Sequence, residues 1–158
     1  MPAQDVDKAL AAIDKDQSKS LDALSAPELF YPDGSRSKRY IVVCLDLDPP
    51  FASFPFAGPI NHWLQSGFHL SASLDDESRK LETSDPFVIN YFRPGPPPFA
   101  GPHRYLFLLY EQPASFDVKS YSPGKEVSVP ARIRYDLDGW KQKVGLGEVV
   151  AATYFRSK

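Results

Sequence analysis

Along this chain the apolar positions change their spacing several times, and each change marks an element. In QDVDKALAAIDKD, residues 4–16, Val6, Leu10 and Ile13 stand at i, i+4 and i+7 with acids near the start, which predicts a short amphipathic helix. PDGS at 32–35 signals a turn, and RYIVVCLDLD follows it. The near-continuous apolar run at 40–45 has the length of one strand buried on both faces. A stretch rich in proline and phenylalanine, 49–59, then leads as a long ordered loop into a second apolar run at 60–64. SLDDESRKLETS at 73–84 is polar and charged and is expected to be a mobile insertion. PFVINYF at 86–92 reads as a strand, RPGPPPFAGP at 93–102 fits neither a helix nor an inner strand, and HRYLFLLYEQ at 103–112 is the strongest strand pattern in the chain. In PARIRYDLDGWKQKVG, 130–145, a proline opens and Gly145 closes a stretch with Ile133, Leu137, Trp140 and Val144 at helical spacing, which predicts one helix. EVVAATYF at 148–155 reads as a last strand. No repeat or low-complexity block divides these elements, so the pattern predicts a single β-dominated α+β domain over 1–158.

Composition sharpens this picture. Sixteen prolines, 11 phenylalanines and 8 tyrosines among 158 residues favour half-buried strands joined by stiff loops and exclude a helical bundle. With 18 basic against 20 acidic residues the net charge is −2, which leaves no electrostatic footprint for nucleic acid. No apolar run approaches the roughly 18 residues of a membrane span, and the first 16 residues do not read as a secretory signal. Cys44 is the lone cysteine, so neither an intramolecular disulfide nor a thiolate metal cluster can form, and a reducing cytoplasmic location is expected.

Several motifs fall short of their chemistry. GLG at 145–147 lacks the third glycine of a dinucleotide fingerprint and follows a helix instead of opening one. DKDQSKSLD at 14–22 has oxygens at alternate positions like a calcium loop, yet Lys19 stands at the glycine position and Ser25 at the bidentate glutamate. No G-x-S-x-G elbow is present, and Cys44 falls mid-strand as a small core residue. What remains is a set of polar residues at strand ends: Asp46 and Asp48, His62, and His103 with Arg104 and Tyr105. Loops can gather such ends around one concave site. Two histidines and two aspartates could ligate a metal, but no pair has the helical i, i+4 spacing, and neither a metal nor a cofactor is expected.

DLDPP at 46–50, NHWL at 61–64 and YFRPGPPPFAGPHRYLFLLYEQ at 91–112, in that order, resemble the phosphatidylethanolamine-binding protein (PEBP) family, that of Raf kinase inhibitor protein. The resemblance is strong over 39–112 and looser over the closing helix and VVAATYF, 130–156. It implies a PEBP-like antiparallel β-sandwich core with a few peripheral helices. It further implies an anion pocket for phosphate, a carboxylate or a phospholipid head group, built from Asp46, Asp48, Pro50, His62, Trp63, Gly95, Pro96, Pro97, His103 and Tyr105. Imidazoles would donate to anionic oxygens, Gly95 would allow close backbone approach, and Asp46 would orient a histidine or meet an ammonium group.

This chain departs from the family pattern at four places. Leu47 replaces a usual proline and Pro49 a frequent alanine, and Arg93 stands where many members carry a pocket-lining glycine, so that its guanidinium would either contact an oxyanion or fill the space. This sequence ends at Lys158, where animal members of the family carry a helix that helps close the pocket, and a more open site is expected. The resemblance implies a binding protein for a small anionic ligand, with a kinase or a protease as regulated partner. The alternative is an enzyme acting on an apolar small molecule, an isomerase or cyclase using Asp46, His62, Arg93, His103 and Tyr105 for acid–base work. Phe51, Phe54 and Phe56 discriminate: pointing into the pocket they favour an organic substrate, packed into the core they favour the binder.

Overall fold

The computed structural model describes residues 24–72 and 79–158. The expected helix at 4–16 and the calcium-like segment at 14–22 lie outside them. Among the described residues, seven strands form one antiparallel sheet: β1 (Leu29–Phe30), β2 (Tyr40–Asp46), β3 (Ile60–Leu70), β4 (Lys80–Glu82), β5 (Phe87–Ile89), β6 (His103–Glu111) and β7 (Val149–Ser157). Their order is β1-β4-β3-β2-β6-β7, with β5 paired to the same edge of β3 that β4 continues.

β2 sits at the centre with every residue buried, as its unbroken apolar run requires. Its odd positions, Ile41, Val43 and Leu45, join Leu64, Leu106, Leu108 and Tyr110 on one face. Helix α1 (Leu137–Val144) covers that face with Leu137 and Val144. Its even positions, Tyr40, Val42 and Cys44, join Trp63, Phe68, Tyr105 and Phe107 on the other. There the sheet curls over itself: Leu29 and Tyr31 near one edge pack on the same cluster as Val150 and Ala151 near the other, and the Tyr31 hydroxyl donates to the Val150 carbonyl at 3.5 Å.

Two expectations are corrected. The charged stretch 73–84 is not an insertion throughout, because Lys80–Glu82 pairs with β1 and β3 and buries Leu81. The helix expected over 130–145 is shorter. Val129–Arg132 is a 3-10 turn, Arg134 turns the backbone left-handed at φ 54°, and α1 begins where the Asp136 carboxylate accepts from the Gly139 amide. Ile133, read as part of the apolar stripe, is exposed.

The feature that shapes the site is a bulge in β3. Cys44 pairs with Trp63 but Leu45 pairs with Asn61, so His62 is an extra residue opposite a regular stretch of β2. A bulge of this kind lets two successive side chains share one face. His62 and Trp63 accordingly both reach the face of Cys44 and Tyr105, where His62 meets the Tyr105 ring edge-on at 5.0 Å and Trp63 joins the Cys44 cluster.

Candidate functional site

The site lies where β2 ends and β6 begins. Asp46 is opposite both Ile60 and Tyr105, and His103 stands two residues before Tyr105 on the same face of β6. One oxygen of Asp46, Oδ2, lies 2.8 Å from His103 Nδ1 and 4.0 Å from His62 Nε2. The other, Oδ1, accepts the Asp48 amide at 3.0 Å. All three side chains are at least 95% buried.

The two imidazoles are held differently. Both nitrogens of His103 face acceptors, Asp46 Oδ2 and, at 3.2 Å, the Pro50 carbonyl. This ring is enclosed within the protein, 1% exposed. His62 donates from Nδ1 to the Phe92 carbonyl at 2.8 Å, and the Phe92 amide returns a bond of 2.7 Å to the His62 carbonyl. Its Nε2 therefore carries the lone pair in the neutral ring and has no hydrogen-bond partner among the described residues. Burial pushes the His62 imidazole below its usual range, against the Phe92 carbonyl and Asp46, while Arg132 and His103 push in the same direction as burial. The Tyr105 hydroxyl is raised well above the ordinary phenol range, by burial first and by the Asp46 carboxylate next, and the Gly95 amide opposes them.

Of the residues expected at the site, the structure brings together Asp46, His62, His103, Tyr105, Gly95 and the carbonyl of Pro50. Asp48 does not share the face of Asp46. The chain turns at the cis Pro49–Pro50 pair, and the Asp48 carboxylate takes the Arg104 amide at 2.8 Å, its Nε at 2.9 Å and its Nη2 at 2.6 Å. Trp63 is a core residue, its ring edge-on to Phe68 at 5.7 Å and Tyr91 at 6.0 Å. Arg93 is exposed and makes no ion pair among the described residues. Pro96 is half-buried and Pro97 exposed, and a Cβ at Gly95 would meet nothing within 4 Å, so no protein neighbour demands glycine there. Phe51, Phe54 and Phe56 take neither expected position. They are 42%, 66% and 54% exposed on the loop after β2, with Phe54 and Phe56 in ring contact at 5.4 Å.

Two residues that the sequence reading passed over complete the arrangement. Phe92 orients His62, and its ring lies 5.5 Å from the imidazole. Arg132 is buried behind it, with its guanidinium 5.3 Å from the Phe92 ring. Arg132 falls within the stretch read as helix, where a basic residue ordinarily faces water, so the local pattern carried no signal for it.

The family model for phosphatidylethanolamine-binding protein matches residues 7–155. The chain belongs to that family. Among curated relatives of this PEBP, the phomoidride biosynthesis cluster protein N of Talaromyces stipitatus is 28% identical over 119 residues, 74% of this chain and 58% of the relative. The chain thus spans little more than half the length of that protein. Among solved structures, the carboxypeptidase Y inhibitor complexed with its cognate proteinase superposes with a TM-score of 0.63 at 24% identity, over 85% of this chain and 71% of that one. The phosphatidylethanolamine-binding protein from Plasmodium vivax gives 0.55 at 15% identity, over 84% and 71%. These likenesses establish the fold and agree with its curled antiparallel sheet. No helix among the described residues is long and apolar enough to cross a membrane.

Proposed function

We infer that this protein binds a small anion, a phosphate or carboxylate group carried on a larger molecule, at the Asp46, His62, His103 and Tyr105 cluster. The observation that carries the reading is the asymmetry of the two imidazoles around one carboxylate oxygen: His103 is engaged at both nitrogens, whereas His62 keeps Nε2 unengaged. An arriving anion brings or recruits a proton to Nε2, and the resulting imidazolium donates to it while Asp46, 4.0 Å away, stabilises the new charge. Membership of the PEBP family supports a ligand-binding or inhibitor-type role, and a protease is a candidate partner because the carboxypeptidase Y inhibitor shares the fold.

Histidine side-chain NMR during titration with phosphorylethanolamine, and separately with acetate, tests this. His62 is expected to shift saturably and take up a proton, and His69 to stay in place. Affinity is expected to rise as pH falls below the usual imidazole range, since His62 is held below it and must be charged to donate. Unmoved His62 resonances at saturating concentrations of both ligands would remove the reading.

A second reading, acid–base catalysis on an apolar small molecule, is favoured by one feature. The bare His62 Nε2 is a base, the exposed Phe92 ring lies 5.5 Å from the imidazole, and the exposed Phe51, Phe54 and Phe56 follow in the chain after Pro50, whose carbonyl meets His103. The relative from a biosynthesis cluster supports it. Incorporation of solvent deuterium next to the carbonyl of an apolar carboxylic acid, lost in H62A, is the expected sign of such chemistry.

A further inference from the structure

Arg132 is 1% exposed and has no carboxylate in ion-pair contact among the described residues. Its fork is spent on neutral acceptors: Nε on the Val127 carbonyl at 3.1 Å, Nη1 on the carbonyls of Asn61 at 3.3 Å and Asn90 at 2.9 Å, and Nη2 on Asn90 Oδ1 at 2.6 Å. A guanidinium stays charged even when buried, so this cation sits in the interior with its desolvation offset by neutral acceptors and by the longer-range attraction of Glu126. Asn61 immediately precedes His62, Asn90 lies two residues before Phe92, and the guanidinium stacks on the Phe92 ring. Arg132 thus bridges the two backbone segments whose reciprocal bonds hold the His62 ring.

We propose that Arg132 is the positioning residue for His62: its fork ties the carbonyl of Asn61, the residue before His62, to that of Asn90, two residues before Phe92, so that the Phe92 carbonyl stays placed to take the Nδ1 proton and Nε2 stays bare until an anion arrives. Anion binding then places a negative group where Nε2, once protonated, donates to it, and Asp46, 4.0 Å away, stabilises the imidazolium. The charged and titratable groups facing His62 are Asp46 from β2, His103 and Tyr105 from β6, and Arg132 from the 3-10 turn. Among these Asp46 favours the imidazolium, and Arg132 and His103 oppose it. Glu126 is the acid that acts on Arg132 itself.

The inference rests on the reading of His62 as the nitrogen that meets the ligand, but its test needs no ligand. Long-range proton–nitrogen spectra of the full-length protein across pH report both the tautomer and the titration midpoint of each histidine. In the wild type, neutral His62 is expected to carry its proton on Nδ1. In R132Q its proton affinity is expected to rise severalfold, because one of the charges that oppose the imidazolium is gone. R132K, which keeps the charge and loses the fork, should hold the midpoint near that of the wild type while a share of the rings moves the proton to Nε2. Should R132Q fail to fold, N90D decides: it keeps the acceptor for Nη2 and sets a counter-charge against the guanidinium, so the affinity of His62 for protons should rise severalfold while His69 is unmoved. A wild-type ring protonated on Nε2, or a midpoint that neither R132Q nor N90D moves, overturns the proposal. Loss of anion binding without any change in these spectra counts against the function and leaves Arg132 in its role.

Discussion

At the residue scale, the two aspartates of DLDPP divide the labour between a site and a scaffold. Asp46 faces two imidazoles, and Asp48 is neutralised by Arg104 through two side-chain nitrogens and an amide. For Asp48, burial alone would raise the carboxyl, but the bonds from Arg104 outweigh it and hold it below the usual carboxylate range. The folded value therefore lies under the unfolded one. The stabilisation is whole above the unfolded value of about 4 and is lost as pH falls through the folded value. The two partners are unequally exposed, 1% for the Asp48 side chain and 37% for Arg104, so truncating them should not cost the same. R104A leaves a buried carboxylate without its cation and should lose about 3–5 kcal/mol, whereas D48A frees a guanidinium that water can reach and should lose about 1–3 kcal/mol. Denaturant melts at neutral pH measure both, and in R104A the decline of stability on the acid side of about pH 4 should flatten.

At the scale of elements, what the sequence disclosed follows how local each signal is. β2 and β6 were legible because a run of apolar and aromatic residues stopped by prolines within a few residues of its end suits few other states. α1 was placed but drawn too long. Proline and Ile133 fitted a helical stripe, yet the left-handed Arg134 and the Asp136 cap restart the chain at Leu137. Gly139 belongs to that cap, since a Cβ there would stand 2.2 Å from Asp136 Oδ2. D136A should therefore cost about 1 kcal/mol and raise hydrogen exchange first in the amides of α1. Lys80–Glu82 was missed because its strand character comes from its partners on β1 and β3, not from its charged sequence. The same holds for the site. The motif pointed to Asp46, His62, His103 and Tyr105, but the assignment of Trp63 to the core and of Asp48 to Arg104 depends on register and on the turn at the prolines, which no spacing rule conveys.

At the scale of the whole molecule, both cores meet on one strand, so β2 cannot leave the sheet without undoing either face. Cys44 reports on this. It is 2% exposed at the middle of β2, and burial pushes its thiol well above the usual range, with Asp46 adding to the effect. A thiolate-directed reagent is expected to label Cys44 at a rate set by global unfolding, so labelling rates across denaturant concentrations should give the same free energy as the melt. Labelling far faster than unfolding would mean that β2 opens locally.

The one-residue bulge at His62 also has a meaning for descent. The register on either side of it is ordinary antiparallel pairing, Cys44 with Trp63 and Leu45 with Asn61. Loss of a single codon at this point would close the ladder, leaving the apolar alternation on both flanks undisturbed and the imidazole gone. The imidazole at position 62 is thus separable from the architecture that carries it, and a lineage can shed or regain this side chain in one mutational step while inheriting the scaffold intact.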